Sequence, residues 1–397
     1  MFFQKKMAPY PSRTYPIMQQ PSLQPNEGQL AQMQRRFGMF LHFGVNTFNN
    51  TEWSDGTLPV ESYCPSAIDA DSWVRTAYEA GMNYVVLITK HHDGFCLWDT
   101  HTTTYSVNYS PNQTDVVRAV ADACRKYGLR LGLYYSLWDR HELCYGDDEA
   151  YVQYMEKHLT ELLDGRYGEV VELWFDGAWD KPCRAWQLDR LYNHVKQMQP
   201  MCQIGVNHTV GKYSEKKGGP QKRYEPRNYR DRDPLRMFPS DFRLWDPHMC
   251  REDDPKIYTF NKKEYYLPFE QTICSRKEFS WFYSDTYADK PLMDAQEIIR
   301  NYRILEKTNN MMVINLPPDT KTELVQGDVD NLMRVAGELG IRREIEGFMV
   351  ETAGSSKELI FHHQPVRGFS CPLLSCGKKT SPSPLLIWEE TMGNSSI

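Results

Sequence analysis

Short, almost uninterrupted apolar runs rich in β-branched and aromatic residues recur along the chain: "GMFLHFG" near 38–44, "NYVVLITKHHDGF" near 83–95, "RLGLYYS" near 130–136, "EVVELWFDG" near 169–177 and "CQIGVN" near 202–207. A strand buried on both faces reads this way, because neither face meets water. Between the runs lie segments with helical periodicity: "DADSWVRTAYEAG" (69–81), "TDVVRAVADACRKYG" (114–128), "DDEAYVQYMEKHLTELLDG" (147–165) and "WQLDRLYNHVKQMQP" (186–200). Three of these open on Asp or Thr and close on Gly, the residues that cap helix ends. The alternation predicts a parallel sheet covered by helices, and right-handed crossovers leave a barrel or an open doubly wound sheet. A TIM-like (β/α)8 barrel is favoured. No Gly-rich fingerprint follows the first run, and the candidates "FRLWD", "LPFEQTIC" and "MMVINLP" bring the strand count to about eight.

The same pattern sets the domain boundaries. Residues 1–30 are Pro- and Gln-rich and read as an N-terminal extension; 31–340 read as the catalytic barrel. Within it, the stretch 209–265 is charged and Pro-punctuated, more loop than βα unit, and insertions of that kind are usually functional or mobile. After "DVDNLMRVAGELG" (328–340) the periodicity fades, so 341–397 read as an irregular tail.

Composition narrows the function classes. With 46 basic and 52 acidic residues mixed along 397 positions, and a net charge of -6, the chain shows neither a nucleic-acid footprint nor a polybasic membrane patch. Its 10 cysteines are scattered singly without a CxxC pair, which argues against a zinc ribbon and a disulfide scaffold. The N-terminus has charge and proline where a signal peptide needs an apolar stretch, and no segment offers ~18 consecutive apolar residues. As written, the chain reads as soluble and untargeted; a mature or trimmed chain would read the same, so its compartment stays open.

In β/α barrels the chemistry sits at the C-terminal ends of the strands. Here those ends are polar: His42 in "LHFG", Lys90, His91, His92 and Asp93 in "TKHHDGF", Tyr134, Tyr135 and Ser136 in "LYYS", and Asp176 in "WFDG", with Glu270 in "LPFEQ". Adjacent histidines on an extended strand point to opposite faces, and no Cys or acidic ligand stands at a standard spacing, so no metal is expected. Two separated carboxylates among imidazoles, phenols and indoles suit glycoside cleavage: one acid protonates the leaving oxygen and the other attacks, or guides water to, the anomeric carbon. Asp176 as a simple helix cap, a sugar-binding barrel that has lost its acid, and a metal-dependent hydrolase using His91 and His92 are the competing readings. No Gly-x-Ser-x-Gly elbow supports a serine hydrolase.

From about residue 35 to about 340 the motifs "RRFGMFLHFGVNTF", "TEWSDG", "YVVLITKHHDGFCLWDT", "LGLYYS", "ELWFDG" and "NNMMVINLPPD" resemble, in order, those of the glycoside hydrolase family 29 α-L-fucosidases. The resemblance implies a retaining exo-glycosidase that removes terminal α-L-fucose from oligosaccharides or glycoconjugates through a covalent intermediate, without a cofactor. It puts Asp176 on the nucleophile and His42, Glu52, Trp53, His91, His92, Trp98 and Tyr134 on the fucose pocket. Glu270 is the first choice for the acid/base, with Glu225 in "RYEPRNY" and Glu215 in "YSEKKGG" as rivals. It also implies a C-terminal β-sandwich after the barrel. The residues after Gly340 do not read as alternating strands, so that domain is expected to be absent or rudimentary.

Overall fold

The apolar runs become the staves of a closed barrel. A computed structural model describes residues 18–210, 235–244, 251–278 and 280–345. Its strands are β1 (Phe37–Leu41), β2 (Tyr84–Lys90), β3 (Arg130–Ser136), β4 (Val170–Asp176), β5 (Gln203–Asn207), β6 (Phe242–Leu244), β7 (Ile257–Phe260), β8 (Lys263–Tyr266), β9 (Phe269–Cys274) and β10 (Met311–Asn315). All but β7 and β8 pair in parallel around the ring β1-β10-β9-β6-β5-β4-β3-β2. The helices are α1 (Glu27–Arg35), α2 (Val45–Phe48), α3 (Ala70–Glu79), α4 (Val116–Tyr127), α5 (Asp148–Leu163), α6 (Leu188–Met198), α7 (Ala295–Lys307) and α8 (Gln326–Leu339). None of the helices among the described residues is long and apolar enough to cross a membrane.

Local chemistry explains the boundaries. The side chains of Asp69, Asp115, Asp147 and Asp294 each accept a backbone N–H at the start of α3, α4, α5 and α7. Gly128 and Gly340 end α4 and α8 in the left-handed conformation. The repeat breaks where the sequence breaks: between β6 and β9 the described residues form the antiparallel β7–β8 hairpin in place of a helix.

Burial on both faces makes each strand alternate between two cores. Along β4, Leu173 and Phe175 pack outward with the helices, whereas Glu172, Trp174 and Asp176 alternate with them and so point inward. Trp174 joins Phe40, Tyr84, Val86, Tyr134, Phe242 and others in filling the barrel. Large and small residues complement each other there. A Cβ on Gly38 would lie 2.7 Å from the ring of Tyr84, its neighbour across β1 and β2, so only glycine leaves room for the phenol.

The N-terminal mouth is closed by α1, which leads directly into β1. Asn26 and Gln29 form a reciprocal capping box at its start, and Met33 enters the barrel interior. Residues preceding it lie against the same end: Gln19 Nε2 donates to the Ser240 carbonyl (2.8 Å) and the Ser22 amide to that of Glu264 (2.9 Å).

Candidate active site

At the opposite mouth, the strand ends converge on a narrow cleft, lined among the described residues by Phe40, His42, Trp53, His91, His92, Tyr134, Trp174, Asp176, Trp179 and Trp281. Asp176, the last residue of β4, is its carboxylate. Its Oδ2 accepts the Tyr134 hydroxyl (2.8 Å) and its Oδ1 the Asn207 amide (2.9 Å). Burial pushes its pKa up, while hydrogen bonds from Asn207, Tyr134 and the Gly177 amide pull it down. Asp176 is thus held in one orientation by two strand-borne donors. Gly177 has φ +73°, and a Cβ there would meet the Trp138 Cβ at 2.6 Å, so the chain leaves β4 by a turn that a larger residue would obstruct.

Hydrogen-bond chains fix the imidazoles. The Ser136 hydroxyl donates to the Trp138 carbonyl (2.6 Å), so its oxygen accepts the Nδ1–H of His92 (2.6 Å). That leaves a lone pair on His92 Nε2, 3.7 Å from Asp176 Oδ2. Two acceptors at this separation are bridged only by a donor such as a hydroxyl or water. The Asn315 amide donates to the Trp281 carbonyl (2.8 Å), and its Oδ1 accepts Nδ1–H of His42 (2.7 Å). Burial lowers the pKa of His42 to about 3 and those of His91 and His92 well below the ordinary value, so all three are neutral near pH 7. The His91 Nδ1 contact with Asp93 spans 3.9 Å, too long for a hydrogen bond and, with a neutral ring, no ion pair. The adjacent histidines share the cleft because β2 shifts register between Ile88 and Lys90 and ends there; their rings are 4.2 Å apart.

The indole wall is held from the loops. The Glu52 carboxylate accepts the backbone amides of Trp281 (2.8 Å) and Phe282 (3.2 Å), and Trp281 lies over His42 with ring centroids 5.1 Å apart. Trp53, 46% exposed, meets His92 edge-on at 5.2 Å, and its loop is tied down by Arg140, which donates to the Ser54 carbonyl (2.6 Å). Behind the wall, the buried Lys90–Asp139 ion pair (2.8 Å) anchors the segment carrying Trp138. Burial raises the Glu52 pKa to about 7, against the two backbone amides that lower it. A carboxyl with a raised folded pKa holds its proton longer in the folded state, so its contribution to stability declines as pH climbs from its unfolded value to about 7. Across that window wild type is expected to lose up to about 3 kcal/mol relative to Glu52→Gln. Thermal melts of the two proteins over this range test it; parallel curves would remove the titration from Glu52.

Glu52, expected in the fucose pocket, holds the backbone of the wall and does not line the cleft, and two more of the expected residues lie elsewhere. Glu270 is the second residue of β9, at the strand's N-terminal end, fully buried inside the barrel beneath Trp174. It accepts the Trp174 indole N–H (2.9 Å) and the Tyr84 hydroxyl (2.7 Å), and does not line the cleft. Strand polarity is the reason: a residue near the start of a parallel strand faces the wrong mouth of a barrel. Trp98 is also fully buried, packed edge-on against His158 of α5 at 4.8 Å and donating to Glu161 (2.9 Å) on the outer layer. The same Glu161 also accepts the hydroxyls of Thr100 and Thr102 and the His101 amide, so Trp98 belongs to a loop clamped onto α5. Glu215 and Glu225 lie outside the described residues, as do residues 346–397, where a sandwich would begin.

Other contributors to the cleft were not singled out from the sequence. Asn207 and Asn315 stand at the ends of β5 and β10, where the strand-end rule would have found them; Trp179 follows the Asp-Gly turn.

The comparisons with known proteins agree with one another. The family model described as Alpha-L-fucosidase matches residues 13–339. Alpha-L-fucosidase 1 of Arabidopsis thaliana is 41% identical over 194 residues, 48% of this chain and 37% of that protein. Tissue alpha-L-fucosidase of Bos taurus is 30% identical over 197 residues, 40% of this chain and 42% of that one. The structure of a glycoside hydrolase 29 family member from an unknown rumen bacterium superposes with a TM-score of 0.66 at 28% identity, covering 80% of this chain and 57% of that one. The chain spans less than two thirds of the length of these relatives. The family match takes in every strand and helix of the barrel, and the chain belongs to the alpha-L-fucosidase family.

Proposed function

We propose that the chain is a retaining glycoside hydrolase that releases terminal α-L-fucose, with Asp176 as nucleophile. The observation that carries this is the setting of Asp176: a buried carboxylate oriented by Tyr134 and Asn207 in a cleft of neutral imidazoles and indoles. In the first step an Asp176 oxygen forms a bond to the anomeric carbon while the bond to the leaving oxygen breaks, and that oxygen takes a proton from a general acid. In the second, water gives its proton to the same group, now a base, and its oxygen replaces Asp176 on the sugar. The lone pairs of His42 Nε2 and His92 Nε2 accept sugar hydroxyls, and the indoles face the apolar side of the ring.

Glu270 is not assigned the proton donor's role, because it is sealed below the cleft floor. That role is assigned to Glu225 or Glu215. Alanine variants of each, assayed on linkage-defined fucosides with and without azide, identify it: azide restores turnover only where the acid/base is missing.

Hydrolysis of aryl α-L-fucoside in preference to other aryl glycosides, with retained configuration in the first-formed sugar, is the expected result; an inverted product would contradict the reading. The pH profile gives a second test. Asp176 must be ionised to attack, and the Tyr134 hydroxyl lowers its pKa. Tyr134→Phe therefore raises that pKa further, and the acid limb of kcat/KM is expected to move to higher pH. An unchanged limb would separate Asp176 from that titration.

A further inference from the structure

The barrel interior beneath the cleft holds a pair of carboxyl groups that the proposed chemistry does not use. Glu172 and Glu270 project from β4 and β9, both fully buried. Burial raises the pKa of each, and Glu172 next to Glu270 raises Glu270 further. Gln32 Nε2 of α1 donates to Glu172 (3.0 Å), and Arg35 lies 3.6 Å from it. An apolar filler would occupy this space at lower electrostatic cost. What it would not supply is an acceptor for the groups above. Glu270 takes both the Trp174 indole N–H (2.9 Å) and the Tyr84 hydroxyl (2.7 Å). Trp174 floors the cleft and stacks on Tyr134, with centroids 5.9 Å apart and planes at 25°, and Tyr134 donates to Asp176 (2.8 Å).

We infer that Glu270 is a positioning residue, whose carboxyl anchors the Trp174 indole from below and through it braces the Tyr134 ring that orients Asp176. The inference rests on the reading of Asp176 as nucleophile. Its discriminating feature is that a neutral amide substitutes for the carboxyl. In Glu270→Gln the amide oxygen can keep the indole N–H, while the NH2 takes the place of the oxygen that accepts the Tyr84 hydroxyl, so that hydroxyl must turn to accept from it. Glu270→Leu leaves the indole N–H and the Tyr84 hydroxyl without that acceptor, at similar volume.

The test is kcat on an aryl α-L-fucoside, normalised to active sites counted with a covalent fucosyl inactivator. Glu270→Leu is expected to lower kcat per site by roughly 10- to 100-fold through misplacement of Asp176, with KM changed by less than about threefold. Glu270→Gln is expected to restore kcat to within about fivefold of wild type. A lost structural role alone would reduce the number of active sites and leave kcat per site intact. If Glu270→Leu does not fold, Trp174→Phe, which keeps an aromatic ring and drops the N–H, is measured instead and is expected to show the same fall in kcat. Wild-type kcat per site in Glu270→Leu or Trp174→Phe overturns the inference. So does a loss of at least about 100-fold in Glu270→Gln that azide restores, which would mark Glu270 as the proton donor after all. An inactive wild type in the same assay sinks the fucosidase reading together with the inference, whereas an active wild type with any of the preceding results sinks the inference alone.

Discussion

Asp176→Asn is expected to lower kcat on an aryl α-L-fucoside by about 10⁴-fold or more, equivalent to about 5.5 kcal/mol of lost transition-state stabilisation. The substitution is close to isosteric, and the surroundings accommodate it. The new amide oxygen can still accept the Asn207 amide, and the new NH2 can donate to the Tyr134 oxygen, in place of the two bonds that Asp176 now accepts. Burial makes the native charge costly, so the variant is expected to melt no lower than wild type. The pairing of the two results is what matters: lost turnover with undiminished stability identifies a group kept for chemistry. Near-wild-type kcat would remove Asp176 from the nucleophile's role, and a large drop in melting temperature would favour the helix-cap reading of this residue.

Gly177→Ala is expected to damage both stability and activity. An alanine at φ +73° costs about 1–2 kcal/mol in backbone strain. Its Cβ would also fall 2.6 Å from the Trp138 Cβ and 2.9 Å from the Trp138 nitrogen, contacts that backbone must move to relieve and that overpacking data place at about 1–3 kcal/mol. The total expected is roughly 2–5 kcal/mol, visible in a denaturant midpoint. The backbone most easily displaced belongs to Asp176 itself and to Trp138, whose carbonyl sets the His92 tautomer through Ser136. A shift of even a fraction of an ångström there is expected to lower kcat by about 10- to 100-fold in the protein that remains folded. Unchanged stability and kcat would mean that the β4 turn relaxes freely, and that rigid delivery of Asp176 is not part of its function.

The barrel was legible because its information is local and redundant. Most barrel strands are largely apolar runs, every long helix but α6 carries a capping residue at one end, and the number of alternations admits few topologies. The interior hairpin β7–β8 was not, since "IYTF" and "KEYY" sit inside a charged segment whose loop-like composition outweighs two short strands. Within the cleft, the rule that chemistry gathers at strand C-termini picked out His42, His91, His92, Tyr134 and Asp176, and the structure brings these five together. The same rule, applied with strand polarity, would have set Glu270 aside: in "LPFEQTIC" the glutamate opens the strand. Trp98 shows a different limit. Its partner Glu161 lies 63 positions away on α5, and nothing in "FCLWDT" indicates that the loop folds outward to reach it. Long-range pairings of this kind, like those of His42 with Asn315 and Glu52 with Trp281, are properties of the closed barrel and its loops.

The most direct measurement is the identity of the residue that becomes covalently attached to the sugar. A 2-deoxy-2-fluoro-L-fucosyl fluoride slows both displacement steps by destabilising the oxocarbenium-like transition states, while its good leaving group keeps the first step faster than the second, so the intermediate accumulates. Proteolysis and mass spectrometry of the inactivated protein are expected to show one added fluorofucosyl group, on Asp176 within "ELWFDGAWDK", and none in Asp176→Asn. A label on another carboxylate, or complete inactivation of fucoside turnover with no covalent label, would contradict Asp176 as the nucleophile of a retaining enzyme.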